Sequence, residues 1–209
     1  MYKLKKIFYK FIFTIFLLFL FIFVSAKSYS NAMSKSISNK FLRLHVVANS
    51  DSTEDQMLKY QIRDAVLEYM EPTLKNAKSK EEALELLNNS KENIEKIAKK
   101  ITFDNNFDYD ITVSIGNFYF PTKEYSNFIL PNGFYDALQI KIGKAAGQNW
   151  WCVMFPSLCI TEQSCNFTNS SEEFLQENLS NEEFKVLYNN PENQQLKIKF
   201  KLIELFENM

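Results

Sequence analysis

The chain has 209 residues, a hydrophobic fraction of 46%, and 24 Lys and Arg against 25 Asp and Glu. That length holds one domain, or two small ones, and the composition is globular rather than disordered. The first 26 residues carry four Lys and no acid, so the remainder has 20 basic against 25 acidic side chains, a net −5 without clustering, which excludes the basic stripe of a nucleic-acid binder.

Lys3, Lys5, Lys6 and Lys10 precede an apolar run from Phe11 to Val24 that only Thr14 interrupts, and Val24-Ser25-Ala26 supplies small residues at its end. A positive head, an apolar run and a small-residue site are the parts of a secretory signal. As a helix the run spans roughly 21 Å, short of a hydrocarbon core of about 30 Å. A cleaved signal peptide is therefore the first expectation for residues 1–26, and an uncleaved membrane anchor, lengthened by Ile7 to Tyr9, the second. Either way the positive flank stays inside and the body is exported. Residues 27–40 are polar and Ser-rich, the composition of a flexible linker, ahead of an exported domain over 41–209.

Phe41 to Ala48 reads as a strand with Leu42, Leu44 and Val46 inward and Arg43 and His45 on the other face. The Asn49 to Asp55 segment stops it and starts a helix, with Ser52 and Asp55, or Asp51 and Glu54, as the capping pair. Leu58, Ile62, Ala65 and Tyr69 give that helix its apolar stripe, and Pro72 closes it. A second helix starts near Ser79, with Ala83, Leu87, Ile94, Ile97 and Ile101 along one side. After Asp104 the period becomes two: Tyr109, Ile111, Val113 and Ile115 alternate with polar residues, and a strand from Phe134 to Ile142 follows the Pro131-Asn132-Gly133 turn. Gly143 and Gly147 bracket an expected flexible loop before an apolar strand from Trp150 to Phe155. Residues 171–188 read as a polar helix, and Leu196, Ile198, Phe200 and Leu202 as an edge strand guarded by lysines. The whole is an α+β fold, one domain with two long helices packed on a mainly antiparallel sheet.

The chain's single His limits its chemistry. A thiol-dependent hydrolase or redox enzyme would need His45 beside Cys152, oriented by a residue such as Asn49, and no spacing brings them together. Cys152, Cys159, Cys165 and His45 lack the short paired knuckles of structural zinc, and the 143–147 loop lacks the Gly-Lys-Ser/Thr of a phosphate loop. No metal and no cofactor is expected. In an oxidising compartment Cys152 and Cys159 are the natural disulfide pair, with a chain reversal near Pro156 to bring them together, and Cys165 is left over or an alternative partner.

Leu42 to Ser52 reads Leu-Arg-Leu-His-Val-Val-Ala-Asn-Ser-Asp-Ser, followed by Glu54-Asp55-Gln56 and Arg63-Asp64-Ala65-Val66. Farther on stand Phe120-Pro121-Thr122-Lys123, Pro131-Asn132-Gly133-Phe134-Tyr135-Asp136-Ala137-Leu138 and Asn149-Trp150-Trp151-Cys152-Val153-Met154-Phe155-Pro156 with Leu158-Cys159. These blocks, in this order, resemble the stage II sporulation protein R family of endospore-forming bacteria over about residues 38 to 160. Ser157 and Ala145 depart from it, standing where the family commonly has Pro and often has Gly.

The resemblance implies a signalling protein and not an enzyme. Members are secreted from the forespore into the space between its two surrounding membranes, where they activate a membrane-embedded aspartic protease of the mother cell that processes pro-sigma E. The residues expected to face that partner are Arg43, His45, Asn49, Asp51, Asp55, Arg63, Asp64, Asn149, Trp150 and Trp151. An alternative use for Arg43, Asp51, Asp55, Arg63 and Asp64 is an ion-pair network holding the first strand to the helix. Of Trp150 and Trp151, one must point inward.

Overall fold

The computed structural model describes residues 2–125, 128–156 and 175–188. Helix α1 runs from Tyr2 to Ser38. Its apolar part, Ile7 to Val24, lies exposed, and the helix is long and apolar enough to cross a membrane, compatible with a signal sequence for export. The Ser-rich stretch expected to be a flexible linker is instead the last three turns of this helix. Met33 and Ile37 recur at i, i+4 and, with Phe41 just beyond the helix, are buried against the body. The serines between them latch it: Ser34 Oγ donates to the Asn132 carbonyl, and Ser36 Oγ donates to Glu183 at 2.6 Å.

Strand β1 (Leu42–Val47) leads into α2 (Thr53–Leu74) and α3 (Lys80–Asp104). Ser52 and Ser79 are the N-caps, accepting from the backbone N–H groups of Asp55 and Glu82. The buried stripe of α2 holds a strict spacing of four, Leu58, Ile62, Val66, Met70 and Leu74, so Ala65 and Tyr69 sit beside it. Pro72 lies within the last turn of α2, which ends two residues later. In α3 the buried positions are Ala83, Leu87, Ile94, Ala98 and Thr102, with Ile101 packed at their edge.

Strands β2 (Ile111–Phe120), β3 (Lys123–Tyr125), β4 (Phe128–Leu130), β5 (Gly133–Ile142) and β6 (Asn149–Phe155) complete the sheets, and α4 (Asn181–Leu187) packs near β4. The main sheet has the order β2-β5-β1-β6. β5 pairs antiparallel with β2 and β1 antiparallel with β6, while β1 and β5 are parallel. The fold is thus mixed, with a mainly antiparallel sheet, and β1 is a central strand.

Helices α2 and α3 cover one face through Leu42, Leu44, Val46, Leu138, Ile140, Trp150 and Cys152. The other face is covered as well: the β3–β4 hairpin, the end of α1 and α4 bring Phe128, Leu130, Ile37 and Leu187 onto Phe120, Tyr135, Ala137 and Val153. Both faces of β1 are therefore buried, its burial continuous from Leu42 to Val47, where a half-exposed strand was expected. The predicted edge strand over 196–202 lies outside the described residues.

Candidate functional site

Arg43 is fully buried, a correction to its expected place on an open strand face, because the second layer closes over β1. Its guanidinium lies 4.2 Å from the Phe120 ring centre and 4.9 Å from that of Tyr135. Nη2 donates to the Tyr125 hydroxyl at 2.6 Å, and among the described residues Nε and Nη1 have no hydrogen-bond partner. Among those residues aromatic faces, not a carboxylate, hold this cation. The sequence offers little to find such a cage, because Phe120, Tyr125 and Tyr135 come from three separate strands.

His45 is likewise buried. It stacks on Trp151 with ring centres 3.8 Å apart. Its Nε2 lies 2.7 Å from Asn149 Oδ1 and its Nδ1 lies 2.9 Å from Gln139 Nε2. With a carbonyl oxygen at one nitrogen and an NH2 at the other, the ring is neutral with its proton on Nε2. Burial lowers its pKa; the Asn149 hydrogen bond opposes this, while Lys141 and Arg43 push in the same direction as burial.

Next to these strands two loops are locked together. The Asn49 carbonyl accepts from Ala146 N and the Ala48 carbonyl from Gly147 N. Asn49 Oδ1 accepts from Lys144 N at 2.9 Å, and Asp51 Oδ1 accepts from Gln148 N at 2.7 Å. Asp55, itself buried, receives Asn49 Nδ2 at 2.8 Å and Ser50 Oγ at 2.5 Å. Burial alone would raise the Asp55 pKa, but these donors hold it below the ordinary carboxylate value. Lys59, buried too, donates to Gln56 Oε1 and the Gln148 carbonyl. The 143–147 loop, expected to be flexible, is therefore pinned. A Cβ on Gly147 would collide with the Ser50 carbonyl and one on Gly143 with the Asn49 amide, so the glycines mark close backbone approach rather than freedom.

Trp150 and Arg63 belong to the helix-covered face. The Arg63 guanidinium sits 4.2 Å from the Trp150 ring and 4.8 Å from that of Tyr60, and pairs with Asp64 at 2.7 Å. Trp150 is thus the inward member of the tryptophan pair and Trp151 the half-buried one. Of the expected network, Arg63 and Asp64 form the one ion pair within that group of five among the described residues. Asp51, Asp64 and Asn149 are exposed, and Asn49 and Trp151 half-buried. Arg43, His45, Asp55, Arg63 and Trp150 are buried; of these, His45 contacts Asn149 and Trp151, Asp55 accepts from Asn49, and Arg63 pairs with Asp64.

Cys152 pairs with Leu44 in register, whereas His45 pairs with Trp151. The Cys152 sulfur and the His45 imidazole therefore project from opposite faces of the sheet, and both imidazole nitrogens are already engaged. Cys152 is buried; the expected partner Cys159, and Cys165, lie outside the described residues. Among the described residues no group of three or more His, Cys, Asp or Glu could hold a metal ion.

A model of the stage II sporulation protein R family matches residues 38–165, the stretch from the end of α1 through β6. Stage II sporulation protein R of Bacillus subtilis (strain 168) is 40% identical over 128 residues, which are 61% of this chain and 57% of that relative. No solved structure matches. The matched stretch contains β1, β6 and the two locked loops, and the chain belongs to the stage II sporulation protein R family.

Proposed function

We propose that this chain is a secreted signal of sporulation that activates a membrane-embedded aspartic protease of the mother cell, triggering pro-sigma E processing from the space between forespore and mother cell. The observation that carries the reading is the rim made by the two locked loops. Asp51, Lys144 and Asn149 project from backbone held by at least four hydrogen bonds between the loops, and the rim lies within the stretch that the family model matches. A rim fixed before binding loses little entropy on docking, which favours a recognition role.

Activation requires that the signal bind the active protease better than the inactive one. A tenfold preference corresponds to about 1.4 kcal/mol, within reach of one well-placed anchor; Trp151, half-buried beside exposed Asn149, is the candidate. Buried Arg43, His45, Asp55, Arg63 and Trp150 act by holding the rim. A Cys152–Cys159 disulfide belongs to this reading and fits an oxidising compartment. The test is reconstitution: the chain added to membranes that contain the protease and pro-sigma E, with cleavage as readout. Asp51→Ala and Asn149→Ala chains that keep their thermal stability are expected to lose cleavage, whereas full cleavage with both variants would move the contact elsewhere.

A further inference from the structure

Between the last turns of α1 and the end of the β2–β5 hairpin lies a cleft of about 500 Å3. One wall carries two aromatic rings that water reaches: Tyr119 is 44% and Phe134 63% exposed. They are cross-strand partners in register, packed edge to face with centres 5.6 Å apart. The Tyr119 hydroxyl accepts from Asn132 Nδ2 at 3.1 Å, which fixes the ring. The opposite wall is helix α1, presenting Asn31 and Lys35, with Asn39 just beyond its end. Lys35 is the one charged side chain in the lining; the rest of the polar groups are amides and hydroxyls.

Exposed aromatic faces next to neutral hydrogen-bonding groups discriminate among ligand classes. An alkyl chain would bury the Asn31 and Asn39 side-chain amides against a surface that cannot hydrogen-bond, at a cost of roughly 1–3 kcal/mol for each group buried. A nucleotide would bring several negative charges to a single lysine. A sugar ring matches both walls, its C–H face against the fixed aromatic rings and its hydroxyls toward Asn31 and Asn39. We propose that this cleft binds a neutral saccharide. Ser30 begins the cleft six residues after Val24, roughly 9 Å along the helix axis from the end of the apolar run. The sugar can therefore come from solution or from the head of a glycolipid.

The test uses the full chain in phosphatidylcholine nanodiscs, since sugar-headed detergents would compete. Chitotriose and cellotriose are titrated by calorimetry, and in a second arm the nanodiscs contain glucosyl diacylglycerol, with changes in amide NMR shifts of the cleft residues as readout. Saturable binding in the first arm identifies a soluble sugar, and in the second arm alone a glycolipid. Phe134→Ala is expected to weaken either by roughly tenfold, about 1.4 kcal/mol, with little change in melting temperature. Tyr119→Phe, which keeps the ring, is expected to retain binding that Tyr119→Ala loses. No saturable change in either arm up to roughly 10 mM sugar, about tenfold above a 1 mM dissociation constant, would overturn the proposal, as would binding that Phe134→Ala leaves unchanged.

Discussion

Arg43 is a cation held by rings, and its neighbour His45 is an imidazole held neutral by two amides and a stacked tryptophan. That arrangement makes His45 a pH-dependent term in stability. Its folded pKa lies below the ordinary value of 6.5 because of burial, so the unfolded chain binds the extra proton first. Stability is complete above about pH 6.5 and falls as the pH drops below it, until the folded form also protonates. Melting temperature measured from pH 7 to pH 5 should decline in the native chain, and His45→Gln should flatten that decline; an unchanged slope in the variant would remove His45 as its source. Ala145 is the second residue-scale case. It adopts φ +49°, where a side chain costs roughly 1–2 kcal/mol. Ala145→Gly is expected to gain up to about 1 kcal/mol in denaturant unfolding, and a loss of stability would show that the loop strain is relieved some other way. The departure from the family's glycine was visible in the sequence, but its backbone conformation was not, since Asn49 and Ser50 impose it from a distant loop.

At the scale of elements, local signals were read well where the chain's own periodicity decides the outcome. Ser52 and Ser79 cap their helices as their spacing predicts, and Ile111, Val113, Ile140 and Ile142 face the helices. Failures came where another element decides. Residues 27–38 look like a linker because Ser and Asn dominate, yet Met33 and Ile37 are enough to dock the helix once α4 offers Glu183. Arg43 and His45 look exposed because alternation shows only one apolar face, and the second layer that covers them comes from β3, β4, α1 and α4. Two predictions test these contacts. Gly147→Ala drives a Cβ into the Ser50 carbonyl and is expected to cost about 2 kcal/mol or more in chemical denaturation, since backbone on both sides must move; a neutral result would mean the loops are not locked. Glu183 joins Lys40 at 2.7 Å, Ser36 and the N-cap of α4. Burial pushes its pKa up, but these donors outweigh it and bring it to about 2. Its contribution is present above about pH 4.5 and is lost as the pH falls toward 2. Glu183→Gln should cost roughly 1–3 kcal/mol at pH 7, with the difference from the native chain shrinking toward pH 2; a constant difference across that range would assign the loss to packing instead.

At the scale of the whole molecule, the apolar N-terminal helix and the folded body are joined without a break. α1 passes from exposed Ile7 to Val24 into buried Met33 and Ile37, so the apolar segment, compatible with a signal sequence for export, continues into the core that folds. The body is acidic, and its two loops are tied into one rim. Family membership was legible from ordered blocks of sequence; the burial of five of the ten residues expected to face a partner, Arg43, His45, Asp55, Arg63 and Trp150, was not, because the layers that cover them come from other elements. The central claim is that the rim is what the protease recognises. Its most direct test is crosslinking in the reconstituted membranes, with a photoreactive side chain placed at Asn149 or, as a control at the end of β5 opposite the rim, at exposed Phe134. The account predicts an adduct with the protease from position 149 and none from position 134, together with loss of pro-sigma E cleavage when Asp51 and Asn149 are both replaced by alanine. Adducts from position 134 alone, with cleavage intact in the double variant, would contradict it.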